Sequence, residues 1–310
     1  MKQNKFIAVL ASLCLISINC ASDHRWGKIP PDTRFDILLL QGIYDPPFRT
    51  PMYGFSLADQ KSFKIYEQTM ALNRVRWISE RNYITYEFEH KAYLLDVYKQ
   101  KRLEIYRSDG YVSSSYYNES TNMYYLVERY FTDLPTNNES SMVFKIIQFR
   151  ILRDEVVKLH EWGEQSWAGA NLNIGEYLAT HFVFNEKEAE LIMVFFRPKP
   201  KHELIIRFNT RTEKAEYLGR IDTEGMLVDV DDSGNLFFAS EEGLYRTDRN
   251  LKNRFYLYHA PFKMRRCSLS PSREHLACTD KAEKDLIIIE MKTGDTCRVP
   301  FQHPIVHLDW

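Results

Sequence analysis

The fold is decided by two neighbouring stretches of sequence, RRCSLSPSREHLACT at residues 265–279 and DLIIIEMKTGDTCRV at residues 285–299. Each stretch contains two short runs of apolar and β-branched residues, separated by a turn rich in small, polar or charged residues. Such runs predict strands, and turns of this composition join neighbouring strands into hairpins. Together the two stretches predict two consecutive hairpins, and therefore a sheet of four strands.

The second hairpin of this pair is one of six similar units, which begin at residues 51, 92, 142, 203, 243 and 285. Hairpins that resemble the one at residues 265–279 precede two of these units, at residues 75–87 and 227–239. A repeat of four strands every 40–50 residues or so is typical of a β-propeller blade. The sequence therefore predicts an all-β, six-bladed β-propeller over residues 35–310, with seven blades as the alternative if residues 160–185 contain further strands.

The hairpin at residues 265–279 resembles the strand–SPDG–strand element of propellers in the TolB and WD-repeat families. This resemblance of repeat type extends over most of the chain after residue 34. It implies the propeller fold but no particular activity, because propeller repeats serve many unrelated functions. Proteins of this fold usually act through partners.

Closure of the ring is predicted from the two ends of the repeat region. The first outer hairpin is preceded by a single strand candidate, FDILLLQ at residues 35–41, whereas the chain continues after the sixth unit as FQHPIVHLDW at residues 301–310. Open sheet edges favour aggregation, so a propeller has to join its first and last blades. We therefore predict that residues 305–310 pair with residues 35–41 in one shared blade.

The first 20 residues, MKQNKFIAVLASLCLISINC, have the features of an export signal. Lys2 and Lys5 precede an apolar run that is shorter than the roughly 20 residues needed to span a bilayer. The segment resembles a bacterial lipoprotein signal of the relaxed, spirochaete-like type, with residues 17–20 as the lipobox. The resemblance implies cleavage before Cys20 and acylation of its thiol, for example with palmitate. An ordinary signal peptide cut nearby is the alternative.

The N-terminal region is accordingly divided into a lipoprotein signal peptide at residues 1–19 and a tether at residues 20–34. The protein is predicted to be lipid-anchored in the cell envelope. Ala21 stands where an aspartate would retain an enterobacterial lipoprotein in the inner membrane, so the outer membrane is the preferred location. We expect a binding or scaffolding module whose partner is an envelope protein or ligand.

Composition narrows the function classes further. The chain has 310 residues, 44% of them hydrophobic, and a formal net charge of −1. A protein without a strong positive field is not expected to bind nucleic acid. We expect a monomer that is attached to the membrane by its lipid anchor.

One stretch has a spacing that could bind a metal ion. Asp229, Asp231 and Ser233 form a DxDxSG pattern, in which alternate oxygen ligands could surround Ca²⁺. The further acidic ligands of known calcium loops are missing, so a tight turn without Ca²⁺ or another cofactor is the preferred interpretation. The stretch also resembles an element of gluconolactonase-type propellers, which implies a metal-dependent lactonase or esterase as the alternative function. That alternative requires several acids and amides at the channel mouth, and no catalytic residue is assigned.

The best ligand-binding candidate is an insertion at residues 160–177, between the outer strand of one blade and the inner strand of the next. Its candidate binding residues are Trp162, Trp167, Asn171 and Asn173. Tryptophan is favoured at binding hot spots because it buries a large area with few rotors. The alternative is that both tryptophans pack between blades as structural wedges.

Two cysteines of the hairpin at residues 265–279 are candidates for a disulfide. If residues 271–274 form its turn, Cys267 and Cys278 stand opposite each other, at a separation close to the disulfide range. Export to an oxidising compartment would permit the bond. Two buried free thiols are the alternative, and Cys297 has no partner in either case.

Overall fold

The structure, a computed structural model, describes residues 24–30, 33–43, 48–68, 74–78, 83–88, 90–118, 121–133, 140–152, 155–163, 178–198, 201–221 and 225–310. The predicted signal peptide and Cys20 lie outside these residues. Within the described ranges the chain forms strands, and no helix is long and apolar enough to cross a membrane.

The strands form six sheets that correspond to six blades. Blade 1 contains β1 (His24–Trp26), β2 (Ile37–Gln41), β3 (Thr50–Ser56), β4 (Lys61–Gln68) and β25 (Ile305–Asp309). Blade 2 contains β5 (Arg74–Ile78), β6 (Tyr83–Phe88), β7 (Lys91–Asp96) and β8 (Lys101–Arg107). Blade 3 contains β9 (Tyr111–Asn118), β10 (Met123–Asp133), β11 (Ser140–Leu152) and β12 (Glu155–Trp162).

The second half of the ring continues the same pattern. Blade 4 contains β13 (Leu178–Asn185), β14 (Glu190–Pro198), β15 (Lys201–Asn209) and β16 (Lys214–Ile221). Blade 5 contains β17 (Gly225–Val230), β18 (Leu236–Ser240), β19 (Gly243–Thr247) and β20 (Phe255–His259). Blade 6 contains β21 (Arg265–Leu269), β22 (His275–Thr279), β23 (Asp285–Glu290) and β24 (Thr296–Pro300). The predicted six-bladed β-propeller is therefore confirmed.

Ring closure also follows the prediction. The last strand, β25, pairs antiparallel with β2, with Leu38 opposite Asp309 and Leu40 opposite His307. Strand β25 is the innermost strand of blade 1, so both ends of the repeat region build this blade. Blade 1 lies between blade 6 and blade 2. The pairing of β2 with β25 completes this blade and so closes the ring.

Blade 1 has a fifth strand that the sequence analysis did not anticipate. Strand β1 lies within the segment predicted as a tether, yet it pairs with β4 at the outer edge of the blade. Gly27 follows β1, and its N–H donates a hydrogen bond to the carbonyl of Ile65 over 2.9 Å. A Cβ on Gly27 would lie 1.7 Å from the carbonyl oxygen of Lys64, so only glycine permits this close approach. The folded body therefore begins before residue 35.

The core lies between the blades. Strand β2 shows why: Leu38 and Leu40 pack towards blade 2, whereas Ile37 and Leu39 pack towards blade 6. Side chains alternate between the two faces of a strand, so a blade with two buried faces has continuous apolar strands. The buried side chains form six clusters, one at each junction between neighbouring blades.

The inner strands define two faces of the ring. We call the upper face the one at which β5, β9, β13, β17, β21 and β25 begin, and the lower face the one at which they end. The outer strands β4, β8, β12, β16, β20 and β24 end on the upper face. The N–H of Gly42 bonds to the carbonyl of Pro304 over 2.9 Å, which places the β2–β3 connection on the upper face as well.

Candidate functional site: the channel and its upper mouth

The six inner strands surround a central channel. It contains a cavity of about 140 Å³. Its lining combines apolar side chains with basic and hydroxyl-bearing ones: Arg76, Tyr116, His181, Phe182, Val183, Met226, Leu227, Val228, Arg266, Cys267, Ser268, Val306, His307 and Leu308. Every blade contributes to this lining.

An ion pair between the closing strand and blade 2 fixes the lower part of the channel. The carboxylate of Asp309 accepts hydrogen bonds from the guanidinium of Arg76 and, over 2.9 Å, from the backbone N–H of Trp77. Burial alone would lower the pKa of Arg76, but Asp309 raises it, and the net pKa is above the ordinary value. His307 lies 3.1 Å from the carbonyl oxygen of Val75. These contacts stabilise the closed ring, because they join the last strand, β25, to strand β5 of blade 2.

Tyr116 is another polar ring of the channel lining. Burial raises its pKa well above the ordinary value, and the nearby carboxylate of Asp229 raises it further. The hydroxyl therefore stays protonated at physiological pH, so it can act as a hydrogen-bond donor.

Towards the upper face the channel widens into a second cavity of about 400 Å³, which lies between blades 4, 5 and 6. Its polar rim includes His181, Glu203, Glu241, Arg265, Arg266 and Glu283, and its floor includes Phe196, Met226 and Met264. We call this cavity the upper mouth. Three separate blades bring these side chains together, because β15, β19 and β23 begin on the upper face, as β13, β17 and β21 do.

Ion pairs organise the charged rim of the upper mouth. Glu241 binds Lys263 over 2.9 Å and Arg265 over 2.6 Å. The hydrogen bond from Lys263 holds the pKa of Glu241 below its ordinary value. Arg266 pairs with Glu283 over 3.1 Å. Exposed pairs of this kind stabilise a fold by only about 0–1 kcal/mol each, so a charged partner can exchange them at little cost.

Arg266 occupies an unusual backbone position. Its φ is 37°, and the register of β21 against β22 shifts between Arg265 and Ser268. A non-glycine residue with positive φ carries a local cost of about 1–3 kcal/mol, which the surrounding structure has to offset. This irregularity directs Arg266 into both the channel and the upper mouth.

The neighbouring cysteines lie next to this irregularity. The structure places the sulfur atoms of Cys267 and Cys278 2.18 Å apart, as a disulfide. Both residues are buried between blades 5 and 6. Cys297 is exposed and is not joined to either of them.

The three residues of the calcium pattern do not converge on one point. The carboxylate of Asp229 pairs with Arg273 of blade 6, and burial raises the pKa of Asp229 above its ordinary value. Asp231 accepts hydrogen bonds from the backbone N–H groups of Ser233 and Asn235, over 3.0 and 2.8 Å. This arrangement closes the tight turn that was the preferred interpretation of this stretch. Across the ranges given above, no group of three or more His, Cys, Asp or Glu side chains is placed to hold a metal ion.

Of the four residues proposed to contact a partner, only Trp162 is described. It is 4% exposed and packs between blades 3 and 4, with its ring edge-on to Phe208 at 5.5 Å. Its indole N–H donates to Glu213 over 3.2 Å. Trp162 therefore acts as the structural wedge of the alternative interpretation, and its ring is not presented to a partner. Trp167, Asn171 and Asn173 lie outside the described residues.

The sequence analysis missed most residues of the channel and upper mouth. One signal was available for Arg76, which stands between the buried residues Val75 and Trp77. In a strand with alternating side chains, a charged residue between two core residues points to the opposite face. Glu241, Arg266 and Glu283 gave no such signal, because they meet only when three blades are assembled.

Comparison with known proteins supports the fold. No family model matches the chain, and no curated protein matches it in sequence. A chain in the crystal structure of the nidogen/laminin complex superposes with a TM-score of 0.59 at 9% identity, over 88% of this chain and 97% of that chain. TolB from Acinetobacter baumannii superposes with a TM-score of 0.58 at 12% identity, over 91% of this chain and 68% of that chain. At these identities the likeness shows a TolB-like β-propeller fold and nothing about activity.

Proposed function

We propose that this chain is an exported, lipid-anchored β-propeller that binds a partner of the cell envelope at its upper mouth. The observation that carries the binding function is the upper mouth itself. It joins an apolar floor to a charged rim drawn from blades 4, 5 and 6. Binding sites commonly combine an apolar cavity with a few converging polar groups.

Export is supported by two independent features. The first 20 residues resemble a lipoprotein signal that ends at Cys20. The placement of Cys267 and Cys278 at bonding distance fits an oxidising compartment outside the cytoplasm, where such bonds persist. Acylation at Cys20, with the outer membrane as the preferred location, is the anchoring mode that we propose.

The lactonase or esterase alternative has less support. A metal-dependent enzyme of this fold would need acids and amides converging on the channel. At the upper mouth Glu241 and Glu283 are paired with basic side chains, and Asp229 is engaged by Arg273. Among the described residues, no group of three or more acidic, His or Cys side chains is placed to hold a metal ion. We therefore favour a binding module.

Anchoring is tested by the acylation of Cys20. We expect the wild-type protein to partition into detergent, and mass spectrometry of its N-terminal peptide to show acyl chains on Cys20. A Cys20→Ser variant should partition into the aqueous phase. Retention of Cys20→Ser in membranes through its own acyl chains would contradict lipidation at this residue.

Binding at the upper mouth is tested with a photo-cross-linking side chain. We would place it at Lys263, which is exposed on the rim, and as a matched control at Asp232, which is exposed in the β17–β18 turn on the lower face. In envelope preparations, the Lys263 position should cross-link to a defined partner that the Asp232 position does not reach. Equal labelling from both positions, or none from Lys263, would argue against the upper mouth as the binding site.

A further inference from the structure

We infer that the lipid anchor holds the upper corner of blade 1 against the bilayer, so that Phe48 contacts the lipid headgroup region. This inference rests on the lipid anchoring proposed above. It adds an orientation: the upper face, with its mouth, is turned towards the membrane surface.

The first step is the length of the tether. Because β1 begins at His24, only Ala21, Ser22 and Asp23 separate it from Cys20. Four extended residue steps span at most about 14 Å. A lipid on Cys20 therefore keeps the start of β1 close to the membrane surface, and the propeller cannot swing freely on a long linker.

The second step is the position of the start of β1. His24 stands opposite Gln68 of β4, and Gln68 stands opposite Thr50 of β3. Neighbouring strands lie about 4.8 Å apart, so His24 is only about 10 Å from Thr50. Thr50 follows the β2–β3 connection, which lies on the upper face. The anchor thus leaves the propeller at the upper corner of blade 1.

The third step is the exposed surface at this corner. Phe48 precedes Thr50 by two residues and is 58% exposed, a large apolar side chain left in contact with solvent. Aromatic and aliphatic side chains of this kind insert into the boundary between headgroups and acyl chains. The apolar ring of Phe48 therefore matches the apolar boundary of the bilayer beside the lipid anchor.

The charges at this corner also fit a lipid surface. Glu67 of β4 forms ion pairs with Arg49, over 3.5 Å, and with Lys64, over 3.2 Å. In the strand register Glu67 stands opposite Arg25 of β1. Two cationic side chains, Arg49 and Lys64, thus share the single carboxylate of Glu67. Basic residues are attracted to an anionic leaflet. Apolar, basic and anchoring groups therefore lie at the same corner.

The inference can be tested in vesicles with a fluorescent label at Phe48 and a matched control. The control is Phe255, which is 60% exposed on the outer strand of blade 5, two blades away around the ring. Phe48→Cys and Phe255→Cys are each made in a Cys297→Ser background and labelled with a polarity-sensitive dye. The acylated proteins are reconstituted into vesicles that contain phosphatidylglycerol, and quenching by aqueous iodide is measured.

We expect severalfold less quenching at position 48 in vesicles than in detergent-free solution of the unacylated protein, and little change at position 255. Equal quenching at both positions, or protection at position 255 instead, would overturn the orientation. Mass spectrometry separates this result from the anchoring proposal. An unacylated Cys20 overturns both proposals, whereas an acylated protein with an exposed label overturns only the orientation.

A longer tether provides the second variant. Inserting about 20 Gly and Ser residues between Ser22 and Asp23 gives a flexible linker with an average span of roughly 25 Å. The protein should remain bound to vesicles, and the protection at position 48 should fall. Unchanged protection would show that the short tether does not set the orientation.

Discussion

Blade 1 and blade 6 lie side by side in the ring but are held together in different ways. Blade 6 consists of consecutive strands joined by short turns, with Cys267 and Cys278 linked across its inner hairpin. Blade 1 takes its inner strand from the end of the chain and its outer strand from the segment after Cys20. One blade is stabilised by local contacts, and the other by contacts between distant parts of the chain.

This difference has consequences for folding. A local hairpin closes a short loop, whereas the pairing of β2 with β25 closes a loop of nearly the whole chain and costs more entropy. Contacts of large sequence separation also slow folding. Blade 1 is therefore expected to complete its sheet last, and the stability of the closed ring depends on the interactions that β25 makes.

Removal of residues 305–310 should have the largest effect. The truncation deletes β25, including the buried residues Ile305 and Leu308, and leaves Arg76 without its carboxylate. We expect the free energy of unfolding to fall by about 5 kcal/mol or more, which approaches the stability of a whole domain. We expect aggregation, or a thermal midpoint far below that of the wild type, in calorimetry and size-exclusion chromatography.

A shorter truncation is the control for this experiment. Trp310 lies outside β25 and stacks on His275 with ring centroids 5.7 Å apart. Its removal alone should leave a monomeric protein with nearly the wild-type midpoint. If the truncation of residues 305–310 also melts at the wild-type temperature and stays monomeric, closure by β25 does not stabilise the ring.

The second prediction compares one ion pair in each blade. Asp309→Asn keeps the shape of the side chain but removes the ion-pair partner of the enclosed guanidinium of Arg76, which keeps only the weaker attraction of Glu87. Breaking a buried pair costs about 3–5 kcal/mol. Asp285→Asn in blade 6 breaks the exposed pair with Arg298 and should cost less than about 1 kcal/mol. Urea unfolding measures both, and equal losses would contradict the special role of the closing strand.

The success of the sequence analysis follows the same division between local and distant contacts. The outer hairpins were predictable because each one places its turn residues and its apolar strands within a short stretch, as in the stretch at residues 285–299. Closure was predictable by counting strands, since the blade that contains residues 35–41 lacked an inner strand and residues 305–310 formed a spare one. Both arguments use the chain as a series of strands and need no side-chain positions.

The parts that were missed depend on register or on assembly. Strand β1 has only three residues, and no pattern in HRW predicts a partner. The pair of Arg76 and Asp309 requires the register of β25 in the ring. The burial of Trp162 depends on Phe208 and Glu213 of the next blade. A sequence supplies such contacts only after the blades have been placed.

The third prediction tests the covalent link of blade 6. Replacing Cys267 and Cys278 together with alanine should lower the free energy of unfolding by about 2–3 kcal/mol, because the bond restricts a short loop of the unfolded chain. Cys297→Ala, at the exposed cysteine, is the control and should have almost no effect. Peptide mapping without reductant should recover the linked pair. Alkylation of all three cysteines before reduction would show that the link does not form in the protein.

The smallest effect is expected at the outer edge of blade 1. Gly27→Ala places a methyl group against the carbonyl of Lys64, so the end of β1 has to move away from β4. Trp26, whose ring lies edge-on to Tyr66 at 5.0 Å, should loosen with it. Because an edge strand can open without disturbing the rest of the sheet, the global loss should stay at about 1–2 kcal/mol. Limited proteolysis should cut sooner near residues 24–30.

The matched control for this change is Gly163→Ala, since a Cβ on Gly163 meets nothing within 4 Å. Its cleavage pattern and unfolding midpoint should match the wild type. If Gly27→Ala instead costs as much as Asp309→Asn, then β1 is part of ring closure and not a strand added to a finished blade. In that case both ends of the chain would stabilise the ring, and the contrast between the inner and outer edges of blade 1 would disappear.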